Sequence, residues 1–534
     1  MSQTAPASLP PSPAPRRWPF FVAGVVAVAV AIAVGEILAG LVAGAPSLVV
    51  AVGSLVIDLQ PPGAKDLVVS LFGTSDKLAL NIAILVVALA FGGLLGLVAR
   101  THLVRAAAGF TAFGLVALVA SLRLGTFVAE LSVITVALAL GSALLTLRVL
   151  VDVAAGHAIA GPATRPTTPR TGPPVASMPD WDRRRFLVLS GSLAAGSVAV
   201  GYLGRALLQG SHSVEPSPAS LPESSLSPAP LAPDTSLAVD GITPIVMPND
   251  RFYRIDTALI VPRVDVATWS VTVKGMVDRE VTLTYDQLAA MPIFEQYVTI
   301  ACVSNEVGGD LVGNALWRGV HLRDVLAMAG VKDGATQIVG RSVDGFTVGF
   351  PTEWAMDPSR DPMIALGMNG EPLPVEHGYP ARLIVPGLYG YVSATKWLAE
   401  IELTTLEAFD AYWIPRGWAK QAPILTQSRI DVPRDGAGLS AGTVAIAGVA
   451  WAPDRGVSKV EVRVGDGDWR TATLSAAISK ATWVQWRLGW DATAGEHTIA
   501  VRATDGTGQV QTADRTPPPP DGARGHHTIR VRVG

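Results

Sequence analysis

The 534-residue sequence predicts a multidomain fold: an N-terminal α-helical membrane region, a central mixed α+β domain and a C-terminal immunoglobulin-like β-sandwich. Three observations predict it. Apolar residues make up 49% of the chain and crowd into its first third. In the middle, β-rich runs alternate with short helical patterns, and from Ile424 onward only strand and turn patterns follow. The boundaries fall at 1–160 for four transmembrane helices, 161–210 for a linker and one further apolar helix, and 211–238 for a Pro/Ser-rich linker. The α+β domain then takes 239–423 and the sandwich 424–534.

Residues 18–44, 78–98, 103–122 and 126–151 each reach the length of roughly 20 residues that crosses a bilayer as a helix. The shorter apolar stretches 47–59 and 67–72 are interrupted around Asp58, Pro61, Pro62 and Gly63 and are assigned to a re-entrant or interfacial loop. Arg16, Arg17, Arg100, His102, Arg105, Arg165 and Arg170 flank the spans on one side, which the positive-inside rule places in the cytoplasm. The spans are expected to lack the intramembrane charges that mark a transport path, so the region reads as an anchor or docking surface in contact with membrane lipid. His102 and His157 both lie at span ends, which leaves no opposed pair for b-type haem.

After a Pro/Thr-rich linker, Asp182-Arg-Arg-Arg-Phe-Leu-Val188 precedes an apolar stretch rich in Gly and Ala. Paired arginines, one spacer, Phe186 and Leu187 match a twin-arginine export signal, and an ordinary fifth membrane helix is the other reading. Both place the following residues outside the cytoplasm. Twin-arginine export carries folded proteins, commonly ones already holding a cofactor, and no clear small-x-small cleavage site follows.

The Pro/Ser-dense stretch 211–236 reads as an extended linker. Beyond it, Trp269-Ser-Val-Thr-Val-Lys274 and Ala381-Arg-Leu-Ile-Val385 read as strands, and 322–329 as a helix. In the last part, strands are expected at 443–451, 457–464, 483–488, 497–504 and 527–533, with Asp-Gly and Gly-rich turns between them. Net charge is −3 and Lys and Arg are dispersed, so no basic stripe points to nucleic acid.

The only cysteine, Cys302, ends the β-branched run Tyr297-Val-Thr-Ile-Ala-Cys-Val-Ser-Asn305. A lone thiol forms no intrachain disulfide. It serves either as a small buried apolar residue or as a thiolate ligand for a soft metal, and these nine residues alone favour the first. The wider text reverses that. Residues 301–326, the later Met368-Asn-Gly-Glu-Pro-Leu-Pro-Val-Glu-His-Gly-Tyr-Pro-Ala-Arg382 with Thr395-Lys-Trp-Leu398, and the sandwich together resemble the sulfite oxidase family of molybdopterin-dependent oxidoreductases over about 239–534.

The resemblance implies an enzyme holding molybdenum on one pyranopterin, with the Cys302 sulfur as metal ligand. It also implies a cofactor pocket lined by Asn249, Phe252, Gly313, Asn314, His377, Arg382 and Lys396. Arg382 and Lys396 would offset the phosphate charge, and His377 would donate a hydrogen bond to the pterin. Asp344 matches an acidic residue placed near the metal, although Ser342-Val-Asp-Gly-Phe346 also makes an Asp-Gly turn by itself. Trp317 and Trp397 read as packing. A homodimer is implied through the sandwich.

The family's pattern breaks at the substrate. Ile255 and Val307, with Glu306 beside the latter, stand where sulfite oxidases carry arginines, and Trp418 is loosely matched to the tyrosine over the metal, with Tyr412 nearby. A multi-pass membrane enzyme is therefore expected, its catalytic domain outside the cytoplasm, performing two-electron oxo transfer on a neutral small molecule such as a sulfoxide or N-oxide. Sulfite oxidation is the alternative, and a non-catalytic cell-surface receptor or adhesion protein is the alternative of another class. The sequence holds no Cys-x-x-Cys-His and no iron–sulfur cysteine set. Electrons would then pass to or from a separate carrier, a cytochrome or a quinone-linked protein.

Overall fold

The computed structural model describes residues 17–42, 44–59, 76–124, 127–155, 180–210 and 221–534. Two compact units divide the chain, Met1–Val214 and Glu215–Gly534. In the first, the apolar runs form α1 (Trp18–Leu41), α2 (Leu48–Leu59), α3 (Asp76–Ala99), α4 (Leu103–Arg123), α5 (Ala129–Ala154) and α6 (Asp180–Gly210). All but α2 are long and apolar enough to cross a membrane. At ~1.5 Å per residue α1 is about 36 Å long, against the roughly 30 Å of a hydrocarbon core.

The four expected spans coincide with α1, α3, α4 and α5, and the motif-bearing segment supplies the fifth. Within 47–59, Leu48–Leu59 forms a helix of its own, with Asp58 in its last turn and Pro61 and Pro62 following its end. The stretch 67–72, the Pro/Thr-rich linker, residues 211–220, Arg16, Arg165, Arg170 and His157 lie outside the described residues. Glycines let the helices touch: a Cβ on Gly24 of α1 would strike the carbonyl of Gly92 in α3.

One expectation is corrected here. The first span does carry a charge, Glu36, only 4% exposed. It is tolerated because it is partnered: Ser47 Oγ donates to it at 2.7 Å and Arg205 of α6 pairs with it at 3.3 Å.

The second unit starts from two sheets. One runs β2-β1-β10-β5-β6, from β1 (Ser270–Gly275), β2 (Val281–Thr284), β5 (Gln337–Ser342), β6 (Thr347–Pro351) and β10 (Leu398–Thr404), with β1 and β10 parallel. The other runs β3-β4-β7-β8, from β3 (Ile293–Ala301), β4 (Val312–His321), β7 (Met363–Met368) and β8 (Glu371–Pro372), with β9 (Arg382–Ile384) on β7. The expected helix is α8 (Leu322–Ala329), following the short α7 (Tyr285–Ala289). Its Leu322, Val325, Leu326 and Ala329 are buried in the common core, the i, i+3, i+4, i+7 spacing of a one-sided helix.

With β11 (Gln427–Val432), β12 (Gly438–Leu439), β15 (Arg470–Thr471) and β16 (Thr473–Leu474) as its short strands, the sandwich pairs a β11-β13-β17-β16 sheet with a β12-β19-β18-β14-β15 sheet. Its long strands are β13 (Gly442–Trp451), β14 (Val457–Val464), β17 (Val484–Ala492), β18 (Gly495–Asp505) and β19 (His527–Val533), where the sequence places them. Residues 221–238 do not behave as a free linker. Leu226 bridges Phe294 in parallel, Ser225 donates its N–H to Ile293, and Leu237 donates to the Gln485 side chain at 2.6 Å. The backbone donors of β3 would otherwise form an open edge.

Candidate active site

Cys302 is the first residue beyond β3, and its place is set by hydrogen bonds rather than by packing alone. Its N–H donates to the Leu311 carbonyl at 2.9 Å, and its own carbonyl accepts from Asn305 N–H at 3.1 Å. The Asn305 side chain accepts from Leu311 N–H at 2.9 Å, closing the Val-Ser-Asn turn. Cys302 as a whole is 8% exposed.

Beside it lies an aromatic floor. A 3₁₀ turn at Asn249–Arg251 delivers Phe252, whose ring stacks with Tyr253 at 5.2 Å and meets Trp317 and His377 edge-on at 5.8 and 5.5 Å. Gly313 in β4 makes that possible, since a Cβ there would sit 2.6 Å from the Phe252 ring. Asn249 anchors the turn by donating to the Met368 carbonyl at 3.3 Å and accepting from Asn369 at 2.8 Å.

Asn314 departs from its expected role as a lining residue. It is fully buried, donates to the Ile245 carbonyl at 2.8 Å and accepts from Thr299 Oγ1 at 3.1 Å. It holds the segment that leads into the Asn249 turn.

Two buried cations face one carboxylate at the far side of this floor. Arg382 is enclosed over the Trp317 ring, donates Nη1 to the His377 carbonyl at 3.1 Å, and leaves its buried Nε without a partner. Lys396 Nζ pairs with Asp256 at 3.2 Å and donates to the Glu376 carbonyl at 2.9 Å. Burial pulls Arg382 down to about 10 and Lys396 down to about 8. Asp256 also takes Arg254 at 3.0 Å. Gly378, with φ +116°, brings the chain so close that a Cβ would lie 3.0 Å from Lys396 Cα.

His377 reverses its expected polarity. Nε2 lies 3.0 Å from the Asn249 carbonyl, which only accepts, so Nε2 carries the proton. Burial, with Arg382 beside it, holds the ring's pKa down to about 4, so it is neutral and the buried, unpartnered Nδ1 is an acceptor.

Tyr253 links this pocket to Cys302. Burial raises its phenol, Cys302 raises it further and Arg382 lowers it, so it stands within electrostatic reach of both. Tyr389 is raised in the same way by burial and by Cys302, with Asp521 and Arg524 of the sandwich also acting on it. A Cβ on Gly522 would lie 2.6 Å from the Tyr389 hydroxyl, which shows how closely the 518–524 loop approaches. Tyr391 and Trp418 extend the aromatic wall with ring centres 5.8 Å apart.

Asp344 forms the Asp-Gly turn, accepting from Phe346 N–H at 3.1 Å. The preceding Val343 N–H donates to the Trp397 carbonyl at 2.9 Å, which brings the turn to the Lys396 segment. Burial, then Asp256, pushes its carboxyl upward. Trp317 and Trp397 are packing residues, each donating its indole N–H to a backbone carbonyl, Val298 and Val375. Ile255 is 45% exposed, Val307 half-buried and Glu306 exposed.

Sequence reasoning missed Tyr253, Asp256, Tyr389 and Arg524. Tyr253 and Asp256 adjoin Phe252 and Ile255 in sequence, a proximity that could have marked them; nothing local marks Tyr389 or Arg524.

Residues 258–413 match the family described as the oxidoreductase molybdopterin binding domain, and 427–501 match a bacterial Ig domain. NADH nitrate reductase of Hordeum vulgare is 37% identical over 178 residues, 28% of this chain and 19% of that protein. Mitochondrial sulfite oxidase of Homo sapiens is 30% identical over 314 residues, 50% of this chain and 57% of that protein. The chain thus spans about a fifth of the nitrate reductase and little more than half of the sulfite oxidase. The sulfane dehydrogenase SoxCD of Paracoccus pantotrophus aligns at 24% identity and a TM-score of 0.46, over 53% of this chain and 79% of that one. The oxidoreductase domain sets aside the receptor reading. With its molybdopterin-binding domain, the chain is a molybdopterin-binding oxidoreductase similar to the sulfite oxidases and nitrate reductases.

Proposed function

We propose that the chain is a membrane-anchored, outward-facing molybdenum-cofactor enzyme that carries out two-electron oxo transfer on a small substrate such as a sulfoxide or N-oxide. The observation that carries this reading is the buried cluster of Arg382 and Lys396 around Asp256, with Arg382 Nε and His377 Nδ1 unpartnered. Buried cations and orphaned polar atoms are costly unless a ligand completes them. An anionic, ring-bearing group fits: phosphate suits Arg382 and Lys396, and a pterin N–H suits Nδ1.

When bound, molybdenum on one pyranopterin supplies a centre that cycles by two electrons. The Cys302 sulfur would hold the metal. Phe252 and the glycine at 313 shape a flat floor, Asn314 secures the turn behind it, and Asp344 lies toward the Lys396 end. Tyr253 and Tyr389 keep their phenolic protons at neutral pH, so both Oη atoms would be available to donate within electrostatic reach of the thiol. A substrate entering along Tyr391 and Trp418 meets an aromatic surface, which suits an uncharged molecule.

Sulfite oxidation is the second reading, and Arg524 favours it. Its guanidinium, held by Asp521 at 2.9 and 2.6 Å, lies on the loop that closes over Tyr389 and would be the cation offered to an anion in place of the arginines absent at Ile255 and Val307. A separate cytochrome or quinone-linked protein would exchange electrons with the site, and the sandwich would pair two chains.

Purified protein should contain molybdenum and phosphorus in equal amounts. It should turn over sulfoxides or N-oxides with a reduced dye, or sulfite with ferricyanide in the second reading. Cys302→Ser should lower metal content and activity by two orders of magnitude or more, since even residues behind a ligand set contribute roughly 10–100-fold. A Cys302→Ser protein with full activity refutes the assignment.

A further inference from the structure

We infer that α6, the helix bearing the twin-arginine-like motif, is retained after export as a fifth helix clasped along α1, so that the catalytic unit stays covalently joined to the bundle. This does not rest on the enzymatic reading.

The clasp has two ends. At one, Phe186 of the motif is 1% exposed and meets Trp18 edge-on at 5.8 Å. At the other, Arg205 pairs with Glu36 at 3.3 Å while Ser47 donates to the same carboxylate at 2.7 Å. Phe186 and Arg205 are nineteen residues apart, and Trp18 and Glu36 eighteen. Parallel helices rising ~1.5 Å per residue therefore meet at both points without bending.

Between the ends the backbones approach closely. A Cβ on Gly201 would lie 4.0 Å from Ala33 Cβ, one on Gly204 would lie 2.5 Å from the Glu36 carbonyl carbon, and one on Gly40 would strike the Gly204 carbonyl. The opposite face of α6 presents Leu187, Val188, Val198 and Tyr202 outward, as a lipid-facing side would.

Without α6 beside it, Glu36 would be buried in an apolar helix with only Ser47 as partner. An uncompensated carboxylate there is strongly unfavourable, so the bundle requires α6 as its fifth helix, and with no clear small-x-small site after α6 the catalytic unit stays attached to it. Phe186 is also hidden once α6 is docked, whereas Arg183, Arg184 and Arg185 remain exposed. The complete motif is readable only before docking, which orders the two events: export first, clasping second.

The first test uses the natural chain with an epitope tag at each end. A single membrane-bound species of full mass carrying both tags is expected; a shorter, soluble species carrying only the C-terminal tag overturns the inference. The second test places Ala33→Cys and Gly201→Cys in a Cys302→Ser chain with a protease site inserted between residues 156 and 179. Their 4.0 Å Cβ separation falls in the range that forms a disulfide. After proteolysis the fragments should stay together until reductant is added, and fragments that separate without reductant overturn the clasp. Arg205→Leu should lower the cross-linked fraction several-fold, and the exchange of Glu36→Arg with Arg205→Glu should recover it. Equal cross-linking in all of these chains refutes the role of the ion pair.

Discussion

Lys396→Met separates stability from cofactor retention, because a buried cation costs the empty protein what it contributes to an anionic ligand. Burial moves the ammonium from its ordinary 10.5 to about 8, a difference of roughly 3 kcal/mol against the charged form. That difference already includes the attraction to Asp256, which keeps Arg254 at 3.0 Å, and losing the hydrogen bond to the Glu376 carbonyl returns about 1 kcal/mol of it. The cofactor-free variant should thus be about 2 kcal/mol more stable than the natural protein at pH 7.

The sign of the pH dependence follows from the same shift. A lysine whose folded pKa is depressed penalises folding fully below about 8, and the penalty is relieved as pH rises from about 8 toward 10.5. The natural protein should therefore gain stability across that window, and the variant should not. Molybdenum and phosphorus content should fall in the same variant. Thermal unfolding of the cofactor-free, detergent-solubilised chain at pH 7 and 9.5 reads the first effect, and elemental analysis of the holoprotein reads the second. A variant less stable at pH 7, with a difference unchanged at pH 9.5, would refute the electrostatic argument. Unchanged phosphorus content would remove Lys396 from the cofactor pocket.

Gly313→Ala should cost about 1–3 kcal/mol by overpacking the Phe252 ring and should reduce molybdenum content, read by thermal unfolding and metal analysis. Asn314→Ala should cost a similar ~1–3 kcal/mol, because the Thr299 hydroxyl loses its acceptor and the Ile245 carbonyl is left with the Trp483 indole alone; an unchanged melting temperature would contradict its positioning role. His377 is buried neutral, with its pKa lowered to about 4. Its contribution is complete above the ordinary 6.5 and is lost as pH falls from there toward about 4, so His377→Gln should flatten the acid limb of the stability profile between those values.

Much of the architecture was readable locally. The apolar runs became α1, α3, α4 and α5, the helical spacing of 322–329 became α8, and the late strand patterns became the sandwich. Each is a short-range signal of period or length. Cys302, Phe252, Gly313, His377, Arg382 and Lys396 were found through ordered motifs, and the fold gathers them around one aromatic floor. The misreadings share a cause. Glu36 within an apolar run, residues 221–238 within a Pro/Ser-rich stretch, and the proton on His377 all depend on partners that composition does not name.

By itself, the sequence determined which segments are apolar enough to leave water, where helices and strands start, and that a lone thiol follows a buried strand next to the groups of a molybdopterin domain. Only tertiary structure decided that Asp256 meets Lys396 from 140 residues away, that Arg205 neutralises Glu36 from 169 away, and that the sandwich reaches Tyr389. Patterning along the chain is set by solvent exposure one residue at a time. Charge compensation and close contact are pairwise, and the pairs exist only once the chain has folded.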